Sequence, residues 1–206
     1  MTGCCVGRPK RVGVVGLGAG TLAAYGRRGD VFRFYEINPL VERVARELFT
    51  YERDSRARVE VVEGDARVSL EREAPEGFDV LAVDAFSGDA IPVHLLTREA
   101  VELYRRHLAP GGVIAFHISN QYLDLEPVLR EAARAEGMEA RVVVTASDDA
   151  RGEYRARWVL LTEDAGVFAR AGMEGVADRL GEEKKVRMWT DDYSSLLPLV
   201  EWGTWR

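Results

Sequence analysis

Short apolar runs alternate with amphipathic stretches from residue 11 to residue 145, the pattern of crossover units that build a mainly parallel sheet. The runs predict strands over 11–17, 31–37, 58–62, 78–83, 113–118 and 140–145. Between them, a short helix begins at Thr21 and is ended by Gly26 and Gly29. Asn38-Pro39 opens a second helix with Pro in its first turn, and Leu40, Val41, Val44, Ala45 and Leu48 recur at helical spacing as a face packed on the sheet. Thr97 caps a further helix that carries Glu99 in its first turn and is stopped by Pro110-Gly111-Gly112. Leu125, Val128, Leu129 and Ala132 mark another, ending at Gly137. After the sixth strand the pattern changes. The polar segment 147–155 leads straight to an apolar run at 158–162 with no room for a crossover helix, so strands six and seven pair antiparallel. A helix over 167–180 follows, and the tail 186–199 is expected to cover the site. The whole reads as an α/β, Rossmann-like fold: a seven-stranded mainly parallel sheet with an antiparallel last strand and helices on both faces.

A chain of 206 residues is long enough for one α/β domain with a sizeable core and too short for two, so 11–206 is read as a single domain behind a flexible leader, 1–10. The 47% hydrophobic and 30% charged composition is that of a folded globular protein. No run reaches the length of a membrane span, and the leader lacks the apolar core of a signal peptide, which makes the cytoplasm the default compartment. The formal net charge of −6 disfavours a general nucleic-acid surface and suits a small cationic substrate. Cys4 and Cys5 are adjacent, cannot form a relaxed disulfide with each other and have no further Cys to complete a zinc site, so no metal is expected. Asn38, Asn120 and Gln121 are the only carboxamides, a bias that fits a thermophilic source.

The candidate chemistry lies at the strand ends. After the first strand, Gly16, Gly18 and Gly20 let the backbone turn tightly and approach a ligand that a Cβ would hold away, with Ala19 between them. Glu36 ends the second strand, where an acid can accept hydrogen bonds from both hydroxyls of a ribose. The dinucleotide fingerprint wants glycine where this chain has Thr21; the GxGxG spacing instead resembles the AdoMet-binding loop of class I methyltransferases. Ligands of open α/β sheets sit outside the carboxyl ends of the strands at the switch point, here between strands one and four. Asp65, with Ala66 after it, can accept from an adenine amine, cap the helix that follows, or do both. Asp84, with Asp89 in the loop beyond it, offers two carboxylates to bind an ammonium substrate and take its proton. An attacking amine must be neutral although its free pKa is about 10, so a carboxylate that orients it is a sensible device. His117 and Asn120 after strand five, and Asp191, Asp192 and Tyr193 in the tail, are candidates for the substrate side. His117 reads either as a second base or as a hydrogen-bonded structural residue, and Asp191-Asp192 either as negative potential or as a turn pair. His94 and His107 read as structural.

Together the segments VGLGAGTLAAYG, YEINP, EGDAR, FDVLAVDAFSGDAIPVHLLTREA, LAPGGVIAFHISN and WTDDYSSLLP resemble the catalytic domain of the spermidine synthase (polyamine aminopropyltransferase) family, and most of all the soluble domain fused to multi-helix membrane segments in some bacterial members. The resemblance implies a class I methyltransferase-like fold and an AdoMet-type ligand, S-adenosylmethionine or its decarboxylated form. It places Glu36 on the ribose, Asp65 on the adenine and Asp84 at the reacting amine, and it implies a homodimer. Three features differ from the family pattern. Its glycine loop usually carries an Asp where this chain has Ala19, its acidic pair after strand four is spaced to where this chain has Ser87, and a small N-terminal β-domain precedes its first strand.

The leading reading is therefore transfer of an aminopropyl group from decarboxylated AdoMet to an amine. An AdoMet-dependent methyltransferase is the first alternative, favoured by Ala19, which removes a repulsion against the AdoMet carboxylate. A non-catalytic nucleoside-binding domain of a membrane-associated partner is the second. An NAD-dependent oxidoreductase is opposed by Thr21 and by the antiparallel seventh strand.

Overall fold

The computed structural model describes residues 8–86, 91–120, 122–148, 150 and 154–200; Cys4, Cys5, Ser87, Asp89 and Gln121 lie outside them. Eight strands form one sheet: β1 (Arg11–Val15), β2 (Val31–Glu36), β3 (Arg58–Glu63), β4 (Phe78–Val83), β5 (Leu108–His117), β6 (Glu139–Thr145), β7 (Ala156–Thr162) and β8 (Ala177–Arg179). Their order is β3-β2-β1-β4-β5-β7-β6-β8. The chain steps outward from β1 to β3, then returns to lay β4 on the other side of β1, which creates the switch point between these two strands. β3 through β5 are parallel, whereas β7 runs antiparallel to both β5 and β6, as the missing crossover helix required.

The central strands are buried on both faces, which is why they read as near-continuous apolar runs. On one face Val15, Leu81, Val83, Ile114 and Phe116 meet the apolar positions of α3 (Ala66–Arg72), α4 (Arg98–Arg106) and α5 (Glu126–Ala135). On the other, Val14, Phe34 and Ala82 pack on Ala45 of α1 (Pro39–Leu48), and Ala115 and Leu160 pack on Phe168 of α6 (Gly166–Arg170). Each large side chain so buried contributes about 1.5–3 kcal/mol of transfer free energy. A short α2 (Tyr51–Asp54) lies between α1 and β3. No helix among the described residues is long and apolar enough to cross a membrane.

Four expectations are corrected. The sheet has eight strands, not seven. The helix expected over 167–180 stops at Arg170, because Gly172 and Gly175 turn into positive φ, and the chain returns as β8 on the free edge of β6. Helix α4 ends before Pro110-Gly111-Gly112: the His107 carbonyl accepts the Phe78 N–H at 2.7 Å, so the chain enters β5 at once and those three residues lie within the strand, beside a register shift against β4. Finally, α1 buries Glu42 and Ala45, while Leu40, Val44 and Leu48 of its apolar stripe are exposed. The β1–β2 crossover holds only one 3-10 turn, Thr21–Tyr25, too short to cover that stripe.

Candidate functional site

The glycine loop follows directly from β1. Gly16 sits at φ +95°, and a Cβ there would lie 2.6 Å from the Asp84 carbonyl oxygen, so glycine is what lets the ends of β1 and β4 close together. Gly18 differs. At φ +54° it has no atom within 4 Å of where its Cβ would stand, and it faces open space. An apolar hollow of about 370 Å³ lies between this loop and α1, lined by Gly18, Ala19, Leu40, Val41, Val44 and Phe49. Gly20, at φ +79°, leads into the 3-10 turn, and Leu17 accepts its N–H at 2.9 Å.

Glu36, at the end of β2, is buried, and its two carboxylate oxygens are used separately. Oε2 accepts the Leu17 N–H at 3.0 Å and Oε1 the Asn38 N–H at 2.8 Å. One side chain thus ties the glycine loop to the start of α1, and each oxygen keeps a second lone pair. Glu63 is the register partner of Glu36 on β3, and burial together with a hydrogen bond to Glu63 pushes the Glu42 carboxyl of α1 above its ordinary value.

Asp65 performs the capping role: Oδ1 accepts the Val68 N–H at 3.0 Å, Ala66 is buried as the first residue of α3, and the His94 ring stands 3.4 Å from Oδ2. His94 is half-exposed on this rim, whereas His107 is buried, with Nε2 2.9 Å from the Leu70 carbonyl oxygen. The Arg67 guanidinium grips Asp191 with two hydrogen bonds of 2.7 Å, and the Thr97 hydroxyl donates to the same carboxylate at 2.8 Å. The Arg67 hydrogen bonds hold the Asp191 carboxyl below its ordinary value. Asp191 is therefore a docking residue for the tail, in a turn closed by reciprocal Thr190–Tyr193 backbone hydrogen bonds. Asp192 is exposed in that turn, and the Tyr193 ring lies under the Arg187 guanidinium at 3.9 Å. The tail thus reaches the N-terminal end of α4, where Trp189 is buried and its carbonyl accepts the Arg98 N–H.

Asp84 and His117, which end adjacent strands, stand together: Oδ1 and Nδ1 are 2.7 Å apart. The other ring nitrogen, Nε2, is 2.8 Å from the Ser119 hydroxyl. The Asn120 carboxamide oxygen accepts the N–H groups of Tyr122 and Leu123, which shapes the loop after β5. The structure therefore gathers the glycine loop, Glu36, Asp84 and His117 at the switch point, and sets Asp65 and Asp191 on a neighbouring rim. Asp89 lies outside the described residues. Trp158 and Arg67 escape a reading of the sequence alone, whereas Ser119 belongs to the 117–120 segment that the sequence carries to the strand ends with His117 and Asn120.

No family model matches the chain. Over 114 residues, 52% of this chain, it is 32% identical to the polyamine aminopropyltransferase of Vibrio vulnificus (strain CMCP6), a match that spans 37% of that protein. Its fold is similar to that of a probable spermidine synthase from Corynebacterium glutamicum ATCC 13032, with a TM-score of 0.62 and 22% identity over 91% of this chain and 74% of the other. It is also similar to human methyltransferase-like protein 13, solved in complex with SAH, with a TM-score of 0.58 and 21% identity over 90% of this chain and 86% of the other. At these identities the two structures show the fold, a class I methyltransferase-like Rossmann fold whose C-terminal strands are antiparallel. The sequence match is what points to the spermidine synthase, or polyamine aminopropyltransferase, family: this chain is similar to a member of it over about half of its own length, and the match spans little more than a third of that relative.

Proposed function

We propose that this protein is a transferase that moves an aminopropyl group from decarboxylated AdoMet to a small amine. The observation that carries the reading is the position of Asp84, a partly exposed carboxylate at the C-terminal end of β4, in backbone contact with a glycine loop that Glu36 holds. The residues present fit a nucleoside. Gly18 opens the loop to a close approach, and the free lone pairs of Glu36 suit ribose hydroxyls. In the reaction the amine nitrogen forms a bond to the carbon beside the sulfonium, the carbon–sulfur bond breaks, methylthioadenosine leaves, and the nitrogen gives up a proton. Asp84 orients the amine and takes that proton, so most of the rate gain comes from positioning.

One observation favours a second reading on the same fold. Ala19 lines the apolar hollow beside the loop and presents no charge against the AdoMet carboxylate, as a methyltransferase would require. Side-by-side calorimetry with AdoMet, decarboxylated AdoMet and methylthioadenosine, followed by assays with diamines, separates the two. Preference for the decarboxylated donor with release of methylthioadenosine supports aminopropyl transfer. Preference for AdoMet puts methyl transfer first, and binding of none of the three refutes both. Assembly as a homodimer belongs to the same proposal and is read by sedimentation.

A further inference from the structure

The surroundings of His117 are built for one orientation of its ring. β5 ends at His117, and antiparallel pairing sets Trp158 of β7 directly opposite. The imidazole stacks on the Trp158 indole, with centroids 4.5 Å apart and planes within 7°, and Phe86 meets it edge-on at 5.0 Å. These two aromatic rings fix the plane in which both nitrogens lie.

The hydrogen-bond partners then fix the proton. An ionised carboxylate only accepts, so the 2.7 Å contact between Asp84 Oδ1 and Nδ1 requires the hydrogen on Nδ1. In a neutral ring Nε2 is then an acceptor, and the Ser119 hydroxyl at 2.8 Å must donate to it. Ser119 is free to do so because its oxygen accepts the Arg157 N–H at 2.9 Å, from the strand that pairs with β5. Every donor in the line from Arg157 through Ser119 and His117 points at Asp84.

We propose that His117 is the positioning residue of Asp84: held as the Nδ1–H tautomer by Ser119, it occupies Oδ1 and presents Oδ2 to the acceptor amine. The inference rests on the aminopropyltransferase reading for the identity of the amine, but the tautomer itself does not depend on any activity. A carboxylate free to rotate would share its two oxygens among water and substrate. One tied to a stacked ring offers a single oxygen in a fixed direction, which is the second layer of support that positioning catalysis needs.

The test has two parts. Long-range nitrogen-15 NMR of the untagged chain at pH 8 reads the tautomer of each of three histidines, His94, His107 and His117, assigned by single substitutions. A Nδ1–H signal for His117 that shifts toward Nε2–H in Asp84→Ala is expected; Nε2–H in the unsubstituted protein overturns the proposal whether or not any amine is turned over. The second part is kinetic. His117→Phe keeps a ring against Trp158 and removes the donor, so methylthioadenosine affinity stays within twofold while KM for the amine rises about tenfold or more. His117→Asn, which returns an N–H near the Nδ1 position, recovers most of that loss. An unchanged amine KM in a folded His117→Phe protein overturns the positioning role. If His117→Phe does not fold, Ser119→Ala decides by the same readout: a raised amine KM with unchanged methylthioadenosine affinity supports the line of donors, and an unchanged one removes it.

Discussion

The carboxylate of Glu36 accepts the backbone N–H of Leu17 at 3.0 Å, so the acid that ends β2 also fixes the glycine loop that ends β1. Two strand ends are joined through a single buried side chain. Truncation removes the tether of the loop and, on the nucleoside reading proposed above, the charge-assisted hydrogen bonds to a ribose as well.

Glu36→Ala is expected to weaken methylthioadenosine binding by about 1–3 kcal/mol, the range for a lost charge-assisted hydrogen bond. Glu36→Gln should not rescue it fully. Both oxygens accept backbone N–H groups, and an amide can supply only one acceptor while turning its NH₂ toward the other donor. Calorimetry on the three proteins checks this, and affinity unchanged in Glu36→Ala would take the residue out of the site.

Two glycines in one loop should behave oppositely. At Gly16 a methyl group meets the Asp84 carbonyl oxygen at 2.6 Å in a backbone region side chains avoid, so Gly16→Ala should cost about 2–4 kcal/mol of stability. At Gly18 the methyl enters open space in the left-handed region, which costs only about 1 kcal/mol. Gly18→Ala should therefore fold and fail to bind nucleoside. Urea denaturation and calorimetry on both variants read the two effects separately.

Arg67 and Asp191 are 124 residues apart in sequence and share two hydrogen bonds, which dock the tail turn on α3. Asp191 is almost half-exposed, so solvent screening limits the pair to about 1 kcal/mol or less of global stability. The local effect is larger. Arg67→Ala should speed amide exchange over 189–193 while leaving β1 and β4 protected. Because the folded carboxyl is held below its ordinary value of 3.8, chiefly by the Arg67 hydrogen bonds, this stabilisation is complete above that pH and is lost as the pH falls below it. Exchange over the turn that is equal in the variant and the parent would show that the pair docks nothing.

What could be seen in the sequence follows from which forces are local. The central strands were legible because a strand buried on both faces is a run of apolar residues, as 78–83 is. β8 was not. Ala177-Asp178-Arg179 has no apolar pattern and forms a strand only because β6 offers it an unpaired edge. Leu40, Val44 and Leu48 announced a helix correctly, yet periodicity cannot say which face is covered, since that depends on the length of a crossover elsewhere. The meeting of Asp84 and His117 follows from the topology once β4 and β5 are adjacent. The grip of Arg67 on Asp191 leaves no trace in either local stretch.

His107 should make the stability of the protein depend on pH in a predictable direction. Its ring is buried, with Nε2 beside the Leu70 carbonyl and Nδ1 facing the Glu76 N–H at 3.4 Å, an arrangement that suits the neutral Nε2–H form. Burial pushes its pKa below the ordinary 6.5, and the Leu70 hydrogen bond only partly opposes this. Between the two values the unfolded chain binds a proton that the folded one does not, so the stability contributed by the neutral ring is complete above about pH 6.5 and declines as the pH falls toward the folded value. His107→Gln keeps an N–H that can reach Leu70 and removes the titration. Its stability should lie below that of the parent at pH 8, and the gap should narrow as the pH is lowered from 6.5, measured by urea denaturation at each pH. A gap that stays constant or widens over that range would show that His107 is protonated in the folded protein.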